Sequence, residues 1–444
     1  MYSSIEFNRE IDKIKYSNIY FIDNDFYYIS DNFLDLKPIN ILGCPTHTEL
    51  KINDYMFNPN IISNKKLNLF DKDIIEINDI NILISHYYDH NIGHGLFDTI
   101  YPIFNLLTDF YDKNQNFNCI INLLKCDDWK SNLKCSREWV LDVMQKFSKG
   151  NNYILDKLDK NKIYLFKTLL VGTSNIGISY VNKYGIIPGK ENFMLEKLRD
   201  RIYDVYNIKK KTKKVTTPNI LFIKSHRFSK YELLTIYESI KIIKKNKNIN
   251  ILFIDWQNID NFKNQLELVN DADIYISASG TSMMNFPFLN RKSILINLGT
   301  NKAGNDKLNQ LMEVNLCLAS NDIHVDYYNI FKYHNIKKQP LIDLINKNID
   351  LFFVINKNFV SNSFNLNWII PNYIKVWRSL FEFSKDKKNL DDFLLKLQKL
   401  PLIGYRFPEM IFQNYGPYKN LNNYLSKENI DLLNKLLKET ESWI

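Results

Sequence analysis

The chain has 444 residues, of which 45% are apolar and 14% aromatic, so it is long and apolar enough for two folded domains and is not a disordered protein. Its 58 lysine and arginine residues stand against 49 aspartate and glutamate residues, and the resulting charge of +9 is spread along the chain. This mild excess suits an anionic ligand or a negatively charged surface and does not indicate a nucleic-acid partner.

The N-terminal segment MYSSIEFNREIDKIKYSN lacks the apolar core of a secretory signal, and no run of about 18 apolar residues follows it. The five cysteines are scattered and include no CxxC motif, which favours reduced thiols over a disulfide framework. These features predict a cytoplasmic protein without a transmembrane segment.

Residues 1–208 are expected to form an N-terminal α/β domain. The segments SNIYFIDNDFYYIS, DIIEI and NILIS are rich in β-branched and aromatic residues and predict strands. A helix should follow, because Leu96, Ile100, Ile103 and Leu107 fall on one helical stripe. NCIINLL and KIYLFKTLLVG predict further strands, and strands that alternate with helices favour a parallel sheet.

Residues 209–217 lie in the basic stretch NIKKKTKKVTTP and are interpreted as a solvated linker, with a nucleic-acid or targeting patch as the alternative. Residues 218–365 then predict a Rossmann-type domain, because the strands NILFIK, NINILFID, DIYISA and KSILINLG alternate with helical segments or loops. Residues 366–444 predict an aromatic, helical C-terminal extension.

Two polar segments in the second domain follow strands, and ligands of such sheets bind at the carboxyl ends of the strands. Lys224 and Arg227 follow NILFIK and can meet a diphosphate, or they can lie on a solvated loop. The loop SASGTSMMNF is either a pyrophosphate cradle that leads into a helix or a turn that caps this helix. Its candidate ligands are Ser279, Gly280, Thr281 and Ser282.

Asp271 and Asp273 resemble a metal-binding DxD pair, although this spacing is common in any sequence. The pair precedes its strand, so it should lie away from the carboxyl edge, and a structural role is the favoured interpretation.

In the first domain, HYYDHNIGHGLFDTIYP contains His86, His90, His94 and Asp98 at four-residue intervals. If all four residues were helical, they would lie on one face of the helix as a row of possible metal ligands. Since NILIS should stay extended up to His86, we expect a helix that starts near Asn91, with only His94 and Asp98 one turn apart on a face away from the core. Such a pair can act as a histidine–carboxylate unit in proton transfer.

These segments resemble the family 61 glycosyltransferases. His94, Asp98 and Pro102 carry the first signature of that family, N-H-(x3)-D-(x3)-P. The stretch QLELVNDADIYISASGTSMMNFPFL resembles the second signature, and NILFIK with its basic residues resembles the segment between the two. The matching positions of the second signature are Gln265, Ala272, Asp273, Gly280 and Asn285. Ser279 stands where the family usually has histidine, and Ser282 where it has a second glycine.

The resemblance implies a GT-B-like fold of two Rossmann-type domains facing a central cleft, and an inverting transferase that needs no metal or other cofactor. A UDP-sugar, most often UDP-GlcNAc or UDP-xylose, would donate to a hydroxyl of a glycan or protein. Asp98 would be the base and His94 its orienting partner, with the donor held at Lys224, Arg227 and the 279–282 loop. Asn91, His90 and Asn285 would position the substrates. The alternatives are a non-catalytic sugar- or partner-binding module and a metal-dependent hydrolase that uses the histidines and Asp98.

Overall fold

The computed structural model divides the chain into two compact units, Met1–Tyr180 with Asp200–Tyr206, and Val181–Arg199 with Asn207–Ile444. The predicted linker is described only at residues 209, 211 and 217, and the predicted extension 366–444 lies outside the described part of the chain. The described residues are 2–7, 13–32, 34–42, 56–67, 71–86, 93, 95–124, 137–172, 192–209, 211, 217–247, 249–259, 261–278, 280–299, 323–328 and 333–358.

The first unit is built on a mixed sheet. Its strands are β1 (Ser4–Phe7), β2 (Ile14–Ile22), β3 (Asp25–Ile29), β4 (Ile39–Asn40), β5 (Met56–Phe57), β6 (Asn60–Ile62), β7 (Asp73–His86), β8 (Asn118–Leu123), β9 (Asn152–Ile154) and β10 (Lys162–Val171). The main sheet has the order β6-β3-β2-β10-β7-β8-β9, with β1 beside β2, while β4 and β5 pair separately. Its helices are α1 (Asn64–Leu67), a π-helix (Gly95–Ile100), α2 (Tyr101–Phe110), a 3-10 turn (Leu155–Lys157) and α3 (Arg137–Ser148).

Four of the seven strand pairings described in this sheet are parallel, including that of β3 with β6, and three are antiparallel. Strands β10, β7, β8 and β9 pair in parallel, as the alternation of strands and helices predicts. Strand β2 pairs antiparallel with β1, β3 and β10. The β2–β3 turn explains part of this, because Asp23 and Asn24 both have positive φ, which suits a tight two-residue hairpin. In place of the expected Rossmann-type sheet, the first domain therefore has a parallel part, β10-β7-β8-β9, extended by strands of mixed direction around β2.

The helix α4 (Asn192–Val205) crosses the division between the units. The second unit then contains β11 (Asn219–Ile223), α5 (Lys230–Asn246), β12 (Asn250–Ile254), α6 (Phe262–Asp271), β13 (Ile274–Ser277), β14 (Ile294–Asn297), β15 (His324–Tyr327) and α7 (Lys338–Asn358). Three 3-10 turns lie at Trp256–Asn258, Thr281–Met283 and Phe286–Phe288.

The five strands described in the second unit are parallel, in the order β12-β11-β13-β14-β15. The four predicted strands and the first two helices are confirmed at their expected places. Helix α5 begins with a capping box, in which Ser229 accepts from the Glu232 N–H and the Glu232 side chain accepts from the Ser229 N–H. This order is one of the two common doubly wound arrangements, so the second unit is a Rossmann-like α/β domain.

The core of the second unit lies between its sheet and the helices α5 and α7. Buried side chains of β11, β13 and β14 pack against Ile236 and Ile240 of α5 and against Ile345 of α7. None of the helices in the described ranges is long and apolar enough to cross a membrane. In the first unit, Cys119 on β8 is a free, buried thiol, and its burial raises its pKa to about 12.

Candidate functional site

The strand order of the second unit reverses between β11 and β13. The chain passes from β11 to β12 on one side of β11, and continues through β13, β14 and β15 on the other side. In open parallel sheets, the crevice outside the carboxyl ends of the strands at such a switch point is where ligands bind. The residues that follow β11 and β13, which the sequence singled out, therefore border this crevice.

Arg227 and Gly280 are in direct contact at this point. A Cβ atom added to Gly280 would lie 2.7 Å from Cζ of Arg227 and 2.9 Å from each Nη atom, so the guanidinium rests on the glycine. Gly280 has a φ of +115°, a conformation that glycine adopts without steric cost. Nη1 of Arg227 is buried and has no hydrogen-bond partner in the described part of the chain. A buried guanidinium nitrogen without an acceptor is suited to an anionic ligand.

The turn after β13 is held rigidly by internal hydrogen bonds. The Ser282 carbonyl accepts from the Tyr275 hydroxyl and, at 3.4 Å, from Nε1 of Trp256. The Ser282 hydroxyl lies 2.8 Å from Oγ of Ser277. Burial raises the pKa of Tyr275 above its usual range, so this phenol stays a donor at alkaline pH as well as at neutral pH. Ser282 thus fixes the turn that presents Gly280.

This turn differs from the expected loop into a helix. Two 3-10 turns, Thr281–Met283 and Phe286–Phe288, follow β13 instead of an α-helix. Pro287 accounts for part of the difference, because it has no N–H to donate in a helix interior. The expectation of an α-helix N-terminus at this loop is wrong, so anion binding here depends on side chains and local amides. Ser279 and the side chain of Thr281 lie outside the described residues.

A second cation borders the same crevice. Lys224 follows β11 directly, and its Nζ lies 3.3 Å from Oδ2 of Asp255, which follows β12. The side chain of Lys224 is 41% exposed and that of Asp255 is 24% exposed. Lys224 is therefore paired but still accessible to a ligand.

The two polar positions that the second signature predicted, Gln265 and Asn285, meet in the structure. Nδ2 of Asn285 donates to Oε1 of Gln265 at 3.3 Å, although the two residues are 20 positions apart. Asn285 is 2% exposed, and its Oδ1 has no hydrogen-bond partner among the described residues. The pair ties α6 to the segment after β13, which is a positioning role.

The DxD pair lies at the opposite edge of the sheet, as expected for residues that precede a strand. Asp273 is buried and accepts from Nζ of Lys211 at 3.0 Å and from the Asn219 N–H at 2.8 Å. Burial raises the pKa of Asp273, against the opposing effect of these two donors. Asp271 accepts from the side chain of Asn219 at 2.8 Å. The pair anchors the beginning of β11, which accounts for both carboxylates without a metal.

In the first unit, Asp98 lies on the π-helix Gly95–Ile100, at the carboxyl end of β7. Nδ1 of His86, the last residue of β7, lies 2.9 Å from Oγ1 of Thr99, so the strand end and the π-helix are bonded together. Single π-helical turns are rare and occur often at functional sites. His90, Asn91 and His94 lie outside the described residues.

The prediction that Asp98 faces away from the core is wrong. Asp98 is only 3% exposed, and every residue of the π-helix and of the first seven positions of α2 is buried. A helix that is buried on all sides has no solvent face to which a polar residue can turn. Asp98 is therefore a buried residue of the first unit.

Several members of the site were missed in the sequence. Asp255, Trp256 and Tyr275 were not singled out, although Asp255 follows a predicted strand in the same way as Lys224. Among the described residues, no group of three or more histidine, cysteine, aspartate and glutamate side chains is placed to hold a metal ion. No protein-family model and no curated protein matches the chain.

Proposed function

We propose that the protein is an inverting, metal-independent glycosyltransferase that moves a sugar from a UDP-sugar to a hydroxyl of a glycan or protein. The observation that carries the proposal is the guanidinium of Arg227, which lies against Gly280 at the switch point of a parallel sheet with a buried, unpartnered nitrogen. In other open parallel sheets, nucleotides bind at such switch points. The resemblance to family 61 supplies the sugar-transfer chemistry and favours GlcNAc or xylose as the sugar.

In this proposal the second unit stabilises the leaving group. As the bond between the anomeric carbon and the diphosphate oxygen breaks, negative charge develops on the diphosphate. Arg227 and Lys224 would stabilise this charge through charge-assisted hydrogen bonds, which is the role that a metal ion has in other transferases. The internal hydrogen bonds of Ser282 keep Gly280 in place, so the guanidinium is positioned before the ligand arrives.

The first unit would supply the base. The acceptor hydroxyl attacks the anomeric carbon, its proton passes to the Asp98 carboxylate, and the nucleoside diphosphate leaves with the electron pair of the broken bond. One displacement of this kind inverts the anomeric centre. A carboxylate within hydrogen-bond reach of the acceptor hydroxyl can take its proton in the transition state, and Asp98 would have this role. His94 would orient it, as the first signature implies.

The burial of Asp98 also favours a second candidate function. A base that the acceptor cannot reach would leave a protein that binds a nucleotide sugar without transferring it. In that case the second unit would act as a sugar- or partner-binding module through the same Arg227 site.

The first test is a thermal-shift measurement of purified protein with UDP, UDP-GlcNAc and UDP-xylose, with and without EDTA. A ligand that binds only the native state stabilises it by about 2.7 kcal/mol at 100 times its Kd. We expect a rise in Tm with one UDP-sugar that survives EDTA. No shift with any of these ligands in a cooperative melt contradicts the proposal, and a shift that EDTA abolishes contradicts its metal independence.

The matched variants are Arg227→Ala and Arg291→Ala. Arg291 precedes β14, so it belongs to the other edge of the sheet, where it pairs with Glu196 at 2.6 Å. Both variants remove one guanidinium from the second unit. The Tm rise should be lost in Arg227→Ala and kept in Arg291→Ala. Release of free UDP from the bound UDP-sugar in the presence of acceptor mixtures then separates a transferase from a binding module.

A further inference from the structure

Asp255 occupies a position in the sheet that the sugar-transfer proposal leaves without a role. It directly follows β12, and the parallel register pairs Ile254 of β12 with Ile223 of β11, so Asp255 and Lys224 leave their strands at the same level. The inference drawn from it rests on the proposed function. It concerns the part of the donor that the diphosphate site does not contact.

The carboxylate of Asp255 has acceptor capacity left over. Oδ1 accepts from the Gln257 N–H at 3.1 Å and so caps the 3-10 turn Trp256–Asn258. Oδ2 lies 3.3 Å from Nζ of Lys224. An ionised carboxylate offers about four lone-pair directions, so these two contacts leave about two of them unused. The side chain is 24% exposed, so those directions can be reached from solvent.

The chemistry of a ribose matches this acceptor. Its 2′ and 3′ hydroxyls are two neighbouring donors, and in Rossmann-type sheets a carboxylate on the strand beside the first strand accepts from them. Here β11 is the first strand, and β12 lies beside it on the side away from β13. The diphosphate would then lie toward β13, on Arg227, with Lys224 between the two groups.

We propose that Asp255 binds the ribose hydroxyls of the donor, and that the site accepts ribonucleoside diphosphates in preference to 2′-deoxy and 2′-phosphorylated ones. A 2′-deoxy ligand lacks one donor for the carboxylate. A 2′-phosphate would place like charge against it. The alternative role for Asp255 is an ordinary one, in which the residue caps the turn and forms an exposed ion pair that contributes little.

The test measures a ratio of affinities, which a purely structural role would not change. Isothermal titration calorimetry compares UDP with 2′-deoxy-UDP, and GDP, ADP and CDP with their 2′-deoxy forms, on the wild-type chain, Asp255→Ala and Asp255→Asn. The asparagine retains an oxygen that can cap the turn. The control is Asp350→Asn, because Asp350 is 72% exposed and forms a similar pair with Lys247 at 2.7 Å.

We expect the wild-type chain to bind the ribonucleotide about tenfold or more tightly than its 2′-deoxy form, equivalent to ~1.4 kcal/mol. The ratio should fall toward one in both Asp255 variants and stay unchanged in Asp350→Asn. A wild-type chain that binds UDP and 2′-deoxy-UDP equally, or an Asp255→Ala variant that keeps the full ratio, overturns the ribose assignment and leaves the proposed function standing. A wild-type chain that binds none of these nucleotides overturns both.

Discussion

Replacing Gly280 by alanine should weaken nucleotide binding and also strain the fold. The new methyl carbon would lie 2.7 Å from Cζ of Arg227. Ordinary contacts between carbon atoms are about 3.5–4.0 Å, so the guanidinium must withdraw by roughly 1 Å. The end of an arginine side chain moves easily, so this withdrawal adds little to the cost in stability. The φ of +115° adds backbone strain of about 1–3 kcal/mol, because alanine rarely adopts this conformation.

The effect on binding follows from the displaced guanidinium. A hydrogen bond to a charged group contributes about 1.5–3 kcal/mol, so loss of one such contact should weaken UDP binding roughly 10- to 100-fold. Calorimetry with UDP measures this loss, and hydrogen exchange of peptides from β11, β13 and β14 measures the local strain. Because the effect passes through Arg227, the double variant Gly280→Ala/Arg227→Ala should bind UDP no more weakly than Arg227→Ala alone.

Two outcomes would refute this reasoning. One is wild-type affinity for UDP in Gly280→Ala, which would show that the guanidinium position is irrelevant to the ligand. The other is a double variant whose losses simply add, which would show that Gly280 acts independently of Arg227. Gly150→Ala provides the contrasting case, because its new methyl would meet the backbone oxygen of Phe117 at 2.2 Å. That change should destabilise the first unit and leave the UDP affinity of the folded protein unaltered.

Two other predictions concern the aspartates. Asp98→Asn keeps the size of the buried side chain and removes its basicity, so transfer, measured as UDP release with acceptor, should fall about 10²- to 10⁴-fold while UDP affinity is unchanged; turnover within a few fold of wild type would remove Asp98 from the mechanism. Asp273→Ala should destabilise the second unit by about 1–3 kcal/mol, because the Asn219 N–H loses its buried acceptor, whereas Lys211 keeps the Asp271 carbonyl at 2.9 Å. Because Asp271 is exposed, Asp271→Ala should lower the free energy of unfolding by less than about 1 kcal/mol. Hydrogen exchange of the peptide containing β11 compares the two variants, and equal losses would contradict the assigned anchoring role of Asp273.

The inner strands of the second unit could be predicted because they are buried on both faces. A strand that is covered on both sides needs an unbroken apolar run, and NILFI at β11, IYIS at β13 and ILIN at β14 supply such runs between polar segments. The edge strand β12 has the same NILFI run as β11, although its Leu252 is exposed. The rule that ligands bind at carboxyl ends then selected Arg227 and the loop that contains Gly280. The structure brings these two residues into contact although more than one strand and two helices separate them in the chain.

The antiparallel pairings of β2 in the first sheet could not be predicted in the same way. β2 and β3 have the composition of strands whatever their direction, and the hairpin between them depends on positive φ at Asp23 and Asn24. Aspartate and asparagine tolerate that conformation but also occur in many other turns. The sequence therefore indicated strands at these positions without indicating how they pair.

Asp98 and Asp255 show why local spacing was insufficient for the site. The expected exposure of Asp98 assumed α-helical periodicity and one apolar stripe, but its segment forms a π-helix that is buried on all sides. The burial is caused by surrounding elements that a local pattern does not contain. For Asp255, the sequence indicates that the residue follows a strand. It does not indicate that Asp255 lies beside Lys224, because that depends on the strand order β12-β11-β13. Strand order brings residues after three different strands to one edge, so Lys224 has Asp255 on one side and the strand that leads to Gly280 on the other. A nucleotide along this edge would contact the carboxylate of Asp255, then the ammonium of Lys224, then the guanidinium of Arg227. This order matches a ribose, whose hydroxyls donate to a carboxylate, followed by a negatively charged diphosphate.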